Sequence, residues 1–170
     1  MSHWERVLEA TTHARAAELF AYAHTLTGDD AIAAAVVEDA LAAVFGRRAY
    51  PRTVDEAWTL LQHAMRRAAV RAHPTPSAPT SEAADEDDDL PADLRTLPVR
   101  ERALLAMRYV DGLAVPAIAH ETGLATHAVE DALTRAVESL SDTHPELRLS
   151  VRDALEGGTL AQDVVVIGAA

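Results

Sequence analysis

Apolar residues recur at helical spacing in two blocks of the chain, and a polar segment separates the blocks. In the first block the pattern predicts three helices. Gly28-Asp29-Asp30 ends the first helix and offers an N-cap to the second, and Thr53 or Asp55 caps the third. The predicted inward faces contain Trp4, Leu8, Leu19, Phe20, Ala23 and Leu26 in the first helix, Val36, Val37, Leu41, Val44 and Phe45 in the second, and Trp58, Leu61, Met65 and Ala69 in the third.

The second block predicts two longer helices with a short one between them, and then a last amphipathic stretch. The segments are Val99 to Val110, Val115 to Thr122, Thr126 to Leu140, and Pro145 to Leu155. We therefore expect an all-α protein of two small helical domains, residues 1–72 and 93–140, followed by a C-terminal extension, 141–170.

The segment between the blocks, residues 73–92, contains four Pro and the acidic run Asp85–Asp89. It has too few apolar residues to fold, so it predicts a flexible acidic linker. A second interpretation is an acidic arm that covers a basic surface. The apolar end of the chain, TLAQDVVVIGAA, is open to similar alternatives: a docked segment, a short strand, a disordered tail, or a signal for proteolytic turnover.

Composition agrees with helices, because aromatic residues make up 4% of the chain and the core must be built from Ala, Leu and Val. Cys is absent, which excludes disulfides and thiolate metal sites. Because no apolar run is long enough for a membrane span and no leader opens the chain, we expect a cytoplasmic protein with no membrane partner.

Charge argues against simple nucleic-acid binding. The formal net charge is −12, and all 15 basic residues are Arg. Neither helical block is basic, so the phosphate backbone would repel the protein unless its charges are segregated. The densest basic cluster is Arg66, Arg67 and Arg71, on the side of the third helix that we predict to face away from the core.

Residues 115–135, VPAIAHETGLATHAVEDALTR, have the spacing of a helix-turn-helix. A Gly permits the tight turn between two short helices, and a small residue must face that turn. A generic helical hairpin is the alternative for this segment alone. The predicted core of the motif is Ile118, Ala119, Gly123, Leu124, Val129 and Leu133.

Residues 97–113, LPVRERALLAMRYVDGL, resemble the helix that leads into the region-4 helix-turn-helix of extracytoplasmic-function (ECF) sigma factors. In the first block, LFAY at 19–22 and LTGD at 26–29 resemble the opening of region 2 in that family. Ala57-Trp58 and the Arg-rich helix that follows resemble its promoter-melting helix. The resemblance implies a region-2-like three-helix domain, a region-4-like domain, and core RNA polymerase and promoter DNA as partners.

The resemblance also implies roles for particular residues, although the chain departs from the family pattern. The family usually carries Lys and Arg where this chain has Glu130 and Ala132, and an acidic-polar patch where it has IAAA at 32–35. The residues to which the resemblance assigns contacts are Arg66, Arg67 and Arg71 for the −10 element, Thr126, His127 and Arg135 for the −35 element, and Glu38 and Asp39 for polymerase.

Two functional hypotheses follow. The first is a divergent sigma factor, in which polymerase supplies the phosphate contacts that the chain lacks. The second is a sigma mimic or adaptor that binds an anti-sigma factor or another regulator, because acidic residues on the DNA-facing helix prevent competition for promoters. An enzyme is disfavoured, since His120 and His127 lack zinc spacing and Asp85–Asp89 lacks the pattern of a calcium loop. We expect no cofactor and no metal.

Overall fold

The structure, a computed structural model, describes residues 3–46, 51–72 and 97–157. These residues form helices and connecting turns with no strand among them, which confirms the all-α fold class. The predicted linker and the apolar end of the chain lie outside the described residues. The helices are α1 (His3–Ala14), α2 (Ala16–Thr27), α3 (Asp30–Gly46), α4 (Val54–Arg71), α5 (Val99–Tyr109), α6 (Val115–Thr122), α7 (Thr126–Thr143), a 3-10 turn (Pro145–Leu147) and α8 (Val151–Glu156).

The first block has four helices where the sequence predicted three, because the first helix is interrupted at Arg15. Arg15 leaves helical geometry, with φ −122° and ψ 24°, and its guanidinium lies 5.0 Å from the centre of the Trp58 ring. Just before the break, Thr11 and Thr12 donate hydroxyl hydrogen bonds to the carbonyls four residues earlier, a pattern that bends helices. The hydrophobic spacing continues through the break, so periodicity alone could not reveal it.

The caps between the helices follow the predicted signals. Gly28 ends α2 in the left-handed conformation, with φ 65°, and its N–H donates to the His24 carbonyl. The Asp29 carboxylate accepts from the Ile32 N–H at 2.9 Å and begins α3, and the Thr53 hydroxyl accepts from the Glu56 N–H at 3.2 Å and begins α4.

Most predicted inward positions of the first block are buried or partly buried, and three residues of the block depart from the prediction. Phe20 and Phe45 are exposed, at 38% and 42%, because each directly follows a buried residue, Leu19 or Val44, and so points about 100° away from it around the helix. Arg66, predicted on the outer side of α4, is only 8% exposed. The outer side of α4 is thus a packed surface at this point.

The two blocks are in contact, and their buried residues form one continuous core. Helix α5 packs against α2 and α4 of the first block and against α7 of the second, while α6 packs against α4. Ala103, Leu104 and Met107 of α5 are fully buried as a result. The sequence predicted most helices of each block but not this contact between blocks.

A buried arginine holds the beginning of the C-terminal extension. Arg108 of α5 donates from Nε to the Ala154 carbonyl at 2.8 Å and from a terminal nitrogen to the Asp153 carbonyl at 3.1 Å. Both carbonyls belong to the last turn of α8, where helix carbonyls often take donors from outside the helix, and the Asp153 carbonyl also accepts from the Gly157 N–H at 3.1 Å. Arg108 therefore fixes α8 against the second block. Among the described residues, no helix is long and apolar enough to cross a membrane.

Two partly buried tyrosines predict opposite effects of losing a hydroxyl. The Tyr22 hydroxyl donates to Asp111 at 2.7 Å and accepts from Arg66, whereas the Tyr109 hydroxyl is buried without a hydrogen-bond partner in the described part of the chain. We expect Tyr22→Phe to lower the free energy of unfolding by about 1–2 kcal/mol and Tyr109→Phe to leave it unchanged or raise it by up to about 1 kcal/mol. Urea unfolding of both variants measures this difference, and equal losses would contradict it.

Candidate nucleic-acid interface

Helices α6 and α7 meet at a tight turn built by Gly123. Gly123 adopts the left-handed conformation, with φ 75°, and its N–H donates to the Ala119 carbonyl at 2.9 Å. Pro116 lies in the first turn of α6, where its missing N–H is not needed. Ile118, Val129 and Leu133 are fully buried between the two helices. Ala119 is buried at the turn and Leu124 is partly buried beside it, so the predicted core residues come together as a helix-turn-helix.

The solvent-facing side of α7 is acidic, because the carboxylates of Asp131 and Glu138 are exposed on it. Thr126, His127 and Arg135, the candidate DNA contacts of this helix, are all exposed. Arg135 is partly neutralised, because its Nε lies 2.9 Å from a Glu101 carboxylate oxygen. Ala132 is 1% exposed. Position 132 is therefore part of the packed core, so the alanine there does not replace a surface contact to DNA.

The three candidate arginines of α4 lie in different environments. Arg71 is exposed, Arg67 is partly buried, and Arg66 is buried. Arg67 and Arg71 line a shallow groove between α3 and α4, together with Asp39. The groove thus brings a candidate polymerase contact beside two candidate DNA contacts. Glu38, the other candidate polymerase contact, is exposed on α3.

Arg66 is the centre of a polar cluster between the blocks, which we call the Arg66 cluster: Tyr22, Arg66, Asp111 and Glu121. The Nε of Arg66 lies 3.0 Å from Asp111 Oδ2 and 2.7 Å from the Tyr22 hydroxyl. A terminal nitrogen of the same guanidinium lies 2.7 Å from Glu121 Oε2. The side chains of Arg66, Asp111 and Glu121 are 10%, 11% and 13% exposed. The cluster is therefore a largely desolvated ion-pair network.

The electrostatics of the Arg66 cluster keep Tyr22 and Arg66 in fixed charge states. Burial raises the pKa of the Tyr22 hydroxyl well above its ordinary value, and the hydrogen bond to Asp111 raises it further. Burial pulls the pKa of Arg66 down, but its interactions with Tyr22, Glu121 and Asp111 outweigh this and raise it overall. At neutral pH the cluster therefore holds a protonated tyrosine and a charged guanidinium.

Two neighbours of Arg66 on α4 also contact the helix-turn-helix at Glu121. The Nε of Arg67 donates to the Glu121 backbone carbonyl at 2.5 Å, and His63 Nδ1 lies 3.2 Å from Glu121 Oε2. The carbonyl belongs to the last turn of α6, where a cation is favourable for the helix dipole. The sequence indicates the arginines as candidate DNA contacts but does not reveal Asp111 and Glu121 as their partners. No local signal marks such pairs, because 45 and 55 residues separate them from Arg66.

The geometry of residues 115–143 defines a helix-turn-helix domain, the class of fold that places its second helix against DNA. Residues 90–140 match the family model described as Sigma-70, region 4. This part of the chain is similar to sigma-70 region 4, which indicates a sigma-factor-like role in transcription. A search of curated proteins finds no match to the chain.

Proposed function

We propose that the protein is an ECF-type sigma-like transcription protein that binds core RNA polymerase and directs it to promoters. The observation that carries the proposal is the helix-turn-helix within the segment that matches sigma-70 region 4. In this proposal residues 1–72 act as a region-2-like domain, residues 93–140 act as the region-4 domain, and 73–92 link them. An anti-sigma factor or similar regulator is a further proposed partner.

The exposed residues support contacts of the two blocks with different promoter elements. Thr126, His127 and Arg135 of α7 would face the −35 element. Arg67 and Arg71 of α4, with Arg66 when it is released from its partners, would serve the −10 element. Because phosphate contacts supply most of the affinity for DNA and α7 offers one arginine, the affinity of this protein alone for duplex DNA would be low. Polymerase would provide the missing contacts.

A second candidate function is a sigma mimic that binds regulators through protein contacts. The observation that favours it is the acidic face of α7, on which Asp131 and Glu138 are exposed and Arg135 is paired with Glu101. Such a face lowers affinity for DNA while leaving the helical packing surfaces intact.

A pull-down against core RNA polymerase, followed by run-off transcription from promoter templates, tests the proposal. We expect the protein to be retained by polymerase and to direct transcripts from specific start sites. Retention by polymerase without specific transcripts would contradict promoter recognition. Failure to bind polymerase, together with binding to an anti-sigma factor, would favour the mimic.

Charge reversal on α3 tests the polymerase contact. We expect Glu38→Arg with Asp39→Arg to weaken binding to core polymerase about tenfold or more, equivalent to at least about 1.4 kcal/mol, because two exposed carboxylates would be replaced by cations that repel a basic partner surface. The matched control is Glu9→Arg with Asp142→Arg, which changes net charge equally at exposed positions on α1 and α7. Equal affinities of the two double variants in a titration with polymerase would show that this part of α3 does not contact polymerase.

A further inference from the structure

We propose that the Arg66 cluster is an autoinhibitory contact that holds the helix-turn-helix against α4 and occupies the arginines that would otherwise meet nucleic acid. The inference rests on the proposed function, and it adds a closed arrangement from which the protein must open before α4 can contact DNA. Its basis is the position of Asp111 and Glu121 around the Arg66 guanidinium.

The partners of Arg66 come from both ends of the region that leads into the helix-turn-helix turn. Asp111 closely follows α5, and Glu121 lies in the last turn of α6, two residues before Gly123. Arg66 therefore joins the start and the end of this region to a single point on α4. The Tyr22 hydroxyl, between Arg66 and Asp111, fixes the orientation of both groups by donating to one and accepting from the other.

Glu121 is held from three sides by one face of α4. Arg66 contacts its carboxylate, Arg67 contacts its backbone carbonyl, and His63 lies within 3.2 Å of the same carboxylate oxygen. His63 and Arg67 are four residues apart, so they lie on the same side of the helix as neighbours. Two of the three α4 arginines proposed for DNA are thus engaged by one residue of the helix-turn-helix.

The charges of the cluster explain how this contact can be specific and still reversible. The carboxylates of Asp111 and Glu121 occupy the position around Arg66 that DNA phosphates would take. A buried ion pair contributes little net stability, because the attraction is offset by the desolvation of both partners. When the blocks separate, the two carboxylates return to water and the arginines become available to another anion.

The apolar part of the contact sets the cost of opening. Ala103, Leu104 and Met107 of α5 are fully buried where α5 packs against α2, α4 and α7. Separation of the blocks would expose part of this apolar surface, which opposes opening in the free protein. Binding of polymerase would then supply the free energy that keeps the blocks apart.

The test uses Asp111→Asn with Glu121→Gln, which neutralises the two carboxylates and leaves every arginine in place. The control is Glu9→Gln with Asp142→Asn, which changes net charge by the same amount at exposed positions.

Because the chain has no Cys, cysteines introduced at the exposed positions Thr59 of α4 and Ser139 of α7 accept spin labels uniquely. The first readout is the distance distribution between these labels, without polymerase.

We expect one narrow distance in the wild-type protein and the control, and a broader, longer distribution in the carboxylate variant. The second readout is the anisotropy of a fluorescein-labelled single-stranded oligonucleotide at low salt. We expect the carboxylate variant to bind about tenfold more tightly than the control, because apparent affinity scales with the open fraction. Adding Arg66→Gln to the carboxylate variant is expected to keep the long distance but to reduce this gain.

Two results would overturn the inference: an unchanged distance in the carboxylate variant, or opening with no gain in oligonucleotide binding over the control. If the double variant lacks a cooperative thermal transition and is therefore not folded, the same two readouts are compared between the single variants Glu121→Gln and Glu9→Gln. Neither readout requires polymerase. A protein that opens as expected but fails the polymerase pull-down would refute the proposed function and leave the autoinhibitory contact established.

Discussion

Replacement of Gly28 by alanine is expected to lower the free energy of unfolding by roughly 2–5 kcal/mol, which would be among the largest effects of any single change on this fold. Gly28 has φ 65°, so a side chain there is strained. An added Cβ would also lie only 2.9 Å from Cζ and 3.1 Å from Cδ of Arg102, which belongs to the other block. Arg102 is 5% exposed and donates to the Leu97 carbonyl, so it cannot move aside without loss.

Gly112 provides the matched control for this prediction. It has nearly the same backbone conformation, with φ 66°, but a Cβ at this position would meet no atom within 4 Å among the described residues. Gly112→Ala should therefore cost only the conformational strain, about 1–2 kcal/mol. Urea unfolding monitored by circular dichroism measures both variants. Equal losses would show that the Gly28 turn does not depend on close packing between the blocks.

Replacement of Arg108 by methionine is expected to release α8 from the second block and to cost about 2–4 kcal/mol of stability. Methionine fills much of the same volume but has no donors for the backbone carbonyls of Asp153 and Ala154. Because these carbonyls lie in the last turn of α8, the helix would lose its fixed position before the rest of the fold. Hydrogen exchange should show faster exchange over residues 151–157 than in the wild-type protein.

Arg152→Met on α8 itself is the control for the loss of a positive charge. The Arg152 side chain is 81% exposed and pairs with Glu156 four residues later. Such a solvent-exposed pair contributes little, so we expect a change within about 0.5 kcal/mol and unaltered exchange over α8. Release of α8 in both variants would mean that net charge, and not the buried hydrogen bonds of Arg108, holds the extension.

The sequence by itself determined the helix-turn-helix and the helices of each block, apart from the break at Arg15 that divides the first helix. Helical periodicity places Ile118, Val129 and Leu133 on facing surfaces, and a glycine at position 123 is the natural residue for a left-handed turn between them. Local capping chemistry likewise predicted the boundaries at Gly28 and Thr53. These features depend on residues within a few positions of one another, so they can be read without knowing the rest of the fold.

Only the tertiary structure decided which polar residues meet across the blocks. The helical pattern predicts Arg66 as an exposed cation on the outer side of α4. It is buried, however, because α5 and α6 pack over that side. Its partners Asp111 and Glu121, and the contact of Arg108 with α8, join residues far apart in the chain. Charge and spacing leave many such pairings open. The packing of α5 against both blocks selects one of them, because burial leaves each guanidinium only the acceptors that the fold brings within reach.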